Sequence, residues 1–286
     1  MQVKTILYCY LALLTLIITS TYAHSIQITP PTTPTTSPPT ITSPTTSPTQ
    51  PVTKKMPNIL LVHGAIADGS SWGDVITLLQ TAGYNVTAVQ QPLTSLPDDI
   101  AKTKVALETL PGPVVIVGHS FGGYVISNAA YNAANVAALV FVAAFGPDEG
   151  ETAIDLGKNF TALPSNKLFI PDSAGRIILS QPNFVKYFAP DVDKKKAKVM
   201  AAVQGPSDQG RFAWKSGPPA WKQKPSWHVV AGNDQIIQPE LEMFCAQRMK
   251  SKKTVKVPGA SHAVMVSHPK VVAAMIVEAA KAVAPK

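Results

Sequence analysis

Six short apolar runs recur along the chain after residue 56. They are Ile59 to His63, Val86 to Gln90, Val114 to Gly118, Ala137 to Val142, Trp227 to Ala231 and Thr254 to Val257. Each has the length of a β-strand. The first ones are nearly continuous in Val, Ile and Leu, as strands covered on both faces are. Between them lie stretches with helical spacing of apolar positions: Trp72 to Ala82, Asp98 to Leu110, Phe121 to Tyr131 and Glu240 to Met249, with Val271 to Val283 closing the chain. Strands alternating with helices predict an α/β fold, a mostly parallel sheet of about six strands with helices on both faces.

One interval breaks the alternation. Residues 148–225 hold helical pieces and no clear strand. The stretch is too long for a loop in a compact domain. It is predicted to be a helical cap, inserted over the sheet edge where open α/β sheets bind ligands. The whole domain is predicted to span residues 56–286.

The chain before it is of a different kind. Lys4 precedes an apolar run from Ile6 to Ile18, and Thr21-Tyr22-Ala23 follows. This order of charge, apolar core and small residues predicts a signal peptide over residues 1–23, cleaved after Ala23. The apolar core falls short of the ~20 residues of a spanning helix; an uncleaved signal anchor is the alternative. The expectation is a secreted protein with no stable membrane insertion once the peptide is cleaved. Residues 24–55 are dominated by Thr, Pro and Ser, with Thr-Ser-Pro at 36–38, 42–44 and 46–48. Such a stretch has nothing to bury and is predicted to be a disordered, extended linker, with the composition of an O-glycosylated stalk. Asn85-Val86-Thr87 and Asn159-Phe160-Thr161 match the N-glycosylation acceptor pattern.

Composition narrows the partners. The chain has 286 residues, 45% hydrophobic and 15% charged, with a formal net charge of +8. Its lysines are dispersed, with no basic stripe interleaved with aromatics, which argues against nucleic acid. Of its two cysteines, Cys9 leaves with the signal peptide, so the mature chain has no internal disulfide. Cys245 lies in a helical pattern and reads as a buried small hydrophobe.

The chemistry concentrates after the third run. Gly118-His119-Ser120-Phe121-Gly122 fits G-x-S-x-G between a predicted strand and a predicted helix. The serine of such a turn stands above the sheet, and the glycines two positions either side make room for neighbouring backbone. A serine needs a base. Of six histidines, His24 lies at the mature N-terminus, His63 ends the first strand, His119 alternates away from the serine and His228 lies within a strand. That leaves His262, in the loop after the last strand, and His268, which reads better as a cap or surface residue. The base needs an orienting acid. Asp234 follows the fifth strand directly, on the edge where Ser120 stands; Asp148, after the fourth, is the competitor. The order Ser120, Asp234, His262 is that of Ser-acid-His hydrolases. An oxyanion hole is expected from the backbone N–H groups of Phe121 and of Ala65, in the loop after the first strand. Ser70 and Ser71 read as structural, with Ser71 as the cap of the first helix.

The segments "LLVHGAIADGSSW", "VVIVGHSFGG", "LVFVAAFGPDEG", "WHVVAGNDQIIQP" and "ASHAVMVSHP" resemble the α/β-hydrolase superfamily. They are most similar to its small esterases related to the plant methylesterase and hydroxynitrile lyase group. The resemblance runs from about Pro57 to the C-terminus and is weakest in the cap. It implies Ser120, Asp234 and His262 as nucleophile, acid and base, with Ala65 and Phe121 as oxyanion donors. Hydroxynitrile lyases of that group carry a threonine after the histidine of the first-strand motif and a lysine after the catalytic histidine. Here those places hold Gly64 and Ala263, which implies ester hydrolysis.

The leading expectation is therefore a secreted serine hydrolase that cleaves small-molecule carboxylic esters through an acyl-enzyme, with no metal and no cofactor. A non-catalytic ligand-binding protein on a hydrolase scaffold and a hydroxynitrile-lyase-like enzyme are the other two classes. Trp214, Trp221, Phe184, Tyr187 and Phe188 are candidates to line a pocket or to pack the cap. No motif specifies the acyl or alcohol group, or the oligomeric state.

Overall fold

The computed structural model describes residues 56–284. The predicted signal peptide and linker, with Cys9 and His24, lie outside the described residues. In chain order the elements are β1 (Asn58–Val62), α1 (Gly73–Thr81), β2 (Val86–Val89), α2 (Leu96–Glu108), β3 (Val114–His119), α3 (Gly122–Ala129) and β4 (Val136–Val142). The inserted interval follows with α4 (Ala153–Lys158), β5 (Phe169–Pro171), β6 (Arg176–Leu179), α5 (Lys194–Ala202) and β7 (Ser207–Asp208). The chain then returns to the main layer with β8 (Ser226–Ala231), α6 (Pro239–Arg248), β9 (Lys253–Val257) and α7 (Pro269–Val283).

All six expected strands form one sheet in the order β2-β1-β3-β4-β8-β9. Every neighbouring pair is parallel. The near-continuous apolar runs have a simple cause. Ile59, Leu61, Val115 and Val117 join the core on one face, under α1 and α7. Leu60, Val62, Val114 and Ile116 join the core on the other, under α2, α3 and α6. With both faces buried, neither set can be polar. Cys245 is buried in α6, and burial pushes its thiol up to about 11.

Two helix starts differ from expectation. Helix α2 begins at Leu96, ahead of Asp98, because the Ser95 hydroxyl accepts the Asp98 N–H at 3.1 Å and caps it. The approach to α1 is capped by Asp68, whose carboxylate accepts the Ser70 N–H at 2.6 Å. Ser71 is not the cap: its hydroxyl turns back to donate to the Asp68 carbonyl at 2.7 Å.

The interval 148–225 contains the expected helical pieces together with a small antiparallel sheet, β5-β6-β7. Its strands have three, four and two residues, too few for a period of two to show in the sequence. Asp172 shapes the β5–β6 hairpin by accepting the N–H groups of Ala174 and Arg176, each at 2.9 Å. No helix among the described residues is long and apolar enough to cross a membrane. Both acceptor-pattern asparagines are exposed, and the Asn85 amide also donates to Asn58 at 2.7 Å.

The interval is pinned to the main layer by a buried ion pair. Arg211 and Asp99, on α2, are both inaccessible to solvent, and the guanidinium hydrogen-bonds the carboxylate. Arg211 also binds the Ser207 hydroxyl and lies 4.4 Å over the Phe121 ring. Asp99 accepts the Leu93 N–H at 3.0 Å as well. Burial raises the Asp99 carboxyl pKa despite the adjacent guanidinium, so the pair holds position at a desolvation cost. Arg211→Met is expected to lose about 3–5 kcal/mol in urea unfolding, because a charge is left without its partner. The double replacement Asp99→Leu with Arg211→Met is expected to recover most of that loss.

Candidate active site

Parallel strands place the loops after β1, β3, β8 and β9 at one edge of the sheet, and each contributes to the site. At the end of β3 the backbone turns sharply. Ser120 has a φ of +56°, left-handed for a residue with a side chain. Its N–H donates to the carbonyls of Val142 and Ala143, both at 3.2 Å. Its carbonyl accepts from Gly123 at 3.0 Å and Phe145 at 3.3 Å, which holds the turn from β3 into α3. Both flanking glycines are needed. A Cβ on Gly118 would stand 2.6 Å from the Gly122 carbonyl oxygen, and one on Gly122 would stand 2.5 Å from that of Val62.

His262 and Asp234 meet at this edge. The His262 Nδ1 lies 2.5 Å from Asp234 Oδ2, and both side chains are inaccessible to solvent. The other oxygen, Oδ1, accepts the N–H groups of Ile236 and Ile237 at 2.7 and 2.9 Å. With these donors fixing Asp234, the imidazole proton sits on Nδ1. His262 Nε2 has no hydrogen-bond partner among the described residues. The loops carrying the pair are laced together, Gly232 donating to Val257 and Asn233 to Ala260, at 2.9 and 2.8 Å. The competitor Asp148 is elsewhere, paired with Lys222. His268 lies at the start of α7, its Nδ1 2.9 Å from the Ser267 hydroxyl.

Ser120 and His262 line one cavity of about 430 Å³. Its wall is mostly apolar, including Ile66, Phe145, Phe169, Ile177 and Phe212. Of the five cap aromatics considered from the sequence, Phe188 alone lines this cavity. Phe184 is buried against Phe188, the Trp221 indole donates to the Pro147 carbonyl, and Trp214 is exposed. Ala65 lines the cavity too. The Ala65 and Phe121 N–H groups donate to no protein acceptor among the described residues. Gly64 sits against the serine: a Cβ there would stand 2.6 Å from Ser120 Cβ and 3.0 Å from its Oγ.

Several residues outside the expected triad and oxyanion hole shape this arrangement. His119 points away from the cavity, and its Nε2 donates to the His262 carbonyl at 2.9 Å. Its ring lies 4.6 Å from that of His262. Complete burial, with His262 nearby, pushes its pKa well below the usual histidine range and keeps it neutral. His63 is neutral for the same reason, burial. Its Nδ1 donates to the Gly64 carbonyl and its Nε2 accepts from Gln91, both at 2.9 Å, bracing the loop that bears Ala65. From the inserted interval, Asp191 accepts both the N–H and the hydroxyl of Ser261. Phe188 lies edge-on to His262 at 4.8 Å, and its carbonyl accepts the Ala263 N–H. The local pattern around Asp191 carries no signal for this, since the contact spans 70 residues.

Comparison with known proteins agrees with this architecture. The model of the alpha/beta hydrolase family matches residues 59–275. Putative methylesterase 19 of Arabidopsis thaliana is 24% identical over 250 residues, 77% of this chain and 96% of the relative. A carbendazim hydrolyzing esterase of a Nocardioides species is 32% identical over 114 residues, 35% of this chain and 47% of the relative. The crystal structure of polyneuridine aldehyde esterase superposes with a TM-score of 0.69 at 17% identity, covering 78% of this chain and 99% of that one.

The turn at Ser120 carries a direct test. Gly118→Ala and Gly122→Ala are each expected to destabilise the protein by about 1–3 kcal/mol in urea unfolding, as overpacking does. Gly157→Ala, where a Cβ would meet nothing within 4 Å, is expected to be neutral or stabilising by up to about 1 kcal/mol, because it lies in a helix.

Proposed function

The chain belongs to the alpha/beta hydrolase family, and on that footing we propose that it is a secreted serine esterase acting on small-molecule carboxylic esters. One observation carries the reading. A serine on a left-handed strand-to-helix turn shares an apolar cavity with a histidine whose other nitrogen is held by a buried carboxylate. The esterase names of its relatives support the same reaction class.

In this mechanism Ser120 Oγ attacks the ester carbonyl while His262 Nε2 takes its proton. The carbonyl oxygen gathers negative charge between the N–H groups of Ala65 and Phe121. His262 then passes the proton to the departing alkoxide, which leaves as the alcohol. Water attacks the acyl-enzyme with His262 again as base, releasing the acid and restoring Ser120. Asp234 keeps the Nδ1–H tautomer and stabilises the imidazolium formed in each step. His119 and Asp191 position the His262 loop and touch no reacting atom.

The cavity favours uncharged esters with a sizeable apolar group. Its volume falls in the range of pockets for drug-sized ligands, and among its lining only Lys158 carries a fixed charge, held by Asp155 at 2.7 Å. Gly64 supports the hydrolase over the lyase alternative, because a larger residue there would press on the serine. Secretion is proposed on the signal-peptide pattern of residues 1–23.

A fluorophosphonate probe is expected to label Ser120 in the folded protein, and Ser120→Ala to abolish labelling. On a panel of p-nitrophenyl esters, Ser120→Ala is expected to lower kcat by a factor on the order of 10⁴–10⁶, and Asp234→Asn by a factor on the order of 10⁴. Equal turnover by wild type and Ser120→Ala, or no adduct on wild type, would overturn the reading.

A further inference from the structure

The cavity wall holds one polar side chain that is buried and that the mechanism does not use. Besides Ser120 and His262, the side chains with polar heads in the lining are those of Lys158, Asn166 and Gln238. Lys158 and Asn166 are exposed, and Lys158 is engaged by Asp155. Gln238 differs from both: it is uncharged, and only 7% of it is accessible. In an otherwise apolar pocket, a single placed polar group orients and selects what binds.

The two ends of the Gln238 amide have different fates. Its Nε2–H donates to the Thr161 carbonyl at 2.9 Å. A carbonyl only accepts, so the nitrogen must face Thr161 and the oxygen must diverge from it. Oε1 accepts from no N–H or O–H among the described residues, yet it is not sealed in as the unpartnered Oε1 atoms of Gln91 and Glu242 are. It is an accessible acceptor on a residue that lines the cavity. The backbone beneath it is fixed. Asp234, four residues earlier, holds the N–H groups of Ile236 and Ile237. The Gln238 carbonyl starts α6 by accepting from Leu241 and Glu242 at 2.9 and 3.1 Å, and Pro239 presets the first helical residue. From the inserted interval, the Ser165 hydroxyl donates to the Gln235 carbonyl.

We propose that Gln238 Oε1 is a specificity-determining acceptor, which takes a hydrogen bond from a hydroxyl or N–H that the substrate carries away from its scissile ester. The proposal rests on the esterase reading above and narrows its substrate class to uncharged esters whose apolar body bears one such donor. A wholly apolar ester would take Oε1 out of water and give it no partner, which costs binding. A donor at the matching place removes that cost.

The test uses the full chain and two ester series. In one, p-nitrophenyl esters carry a hydroxyl at successive carbons of a straight acyl chain. In the other, butyrate esters carry it at successive carbons of a straight alcohol. Each is paired with the plain ester and with the methyl ether, which keeps the oxygen and loses the donor. In wild type, the hydroxy-to-plain ratio of kcat/KM is expected to peak at one position of one series, and the methyl ethers to show no peak. In Gln238→Met, of similar shape, the ratio should fall about tenfold at that position and stay unchanged elsewhere. A merely structural role, holding Thr161, would lower all esters alike and leave every ratio as it was. Should Gln238→Met not fold, the wild-type comparison of hydroxy ester, plain ester and methyl ether carries the test alone. Calorimetric binding of the same intact esters to Ser120→Ala should show the same hydroxyl preference without turnover.

No peak in either series, a methyl ether that matches the hydroxy ester at the peak, or a peak that survives Gln238→Met would each overturn the proposal. Any of these with ester turnover intact leaves the esterase reading standing. A hydroxyl preference in binding, with no ester turned over by wild type, would refute the esterase reading and leave the acceptor in place.

Discussion

The site depends on one backbone conformation, the left-handed turn at Ser120. A residue with a side chain at positive φ costs of order 1–3 kcal/mol and persists only where its surroundings over-determine it. Here they do. The Ser120 N–H is held by the carbonyls at the end of β4, its own carbonyl by Gly123 and Phe145, and glycines stand where any Cβ would strike neighbouring backbone. The turn ends the strand, starts the helix and projects the serine from the sheet at the same point. The Gly64 loop and the cavity wall take their places around it.

Around that turn, polar groups are arranged so that little charge is buried without a partner. His63 and His119 are neutral, and each spends hydrogen bonds on the loops that carry Ala65 and His262. Asp234 is held by two backbone N–H groups and an imidazole. The candidate site thus lies in an interior whose dipoles are fixed by the fold.

The inserted interval does more than roof the cavity. Arg211 reaches into the main layer to Asp99 and covers the Phe121 ring, Asp191 holds Ser261, and the Phe188 carbonyl holds Ala263. Those contacts fall beside an expected oxyanion donor and on both sides of His262. The segment that lines the cavity therefore also steadies the loops that carry Phe121 and His262. A change in the interval alters both together.

The sequence by itself determined the strands, their alternation with helices and the candidate residues Ser120, Asp234 and His262. The physical reason is local. Strands buried on both faces must be apolar throughout, a serine elbow requires glycines two residues either side, and loops that follow parallel strands share one edge. What only the tertiary structure decided lies in contacts between distant segments. The short strands of the insertion carry too few residues for a period to emerge. His119, adjacent to the serine, was set aside because it alternates away, and that same alternation brings it to the His262 carbonyl across 143 positions. Asp191 and Arg211 look like ordinary surface charges until the fold buries their partners. Glu242 sits between Leu241 and Met243 in the sequence, and only the packing of α6 behind β8 buries its carboxyl and brings it to the Ala231 N–H.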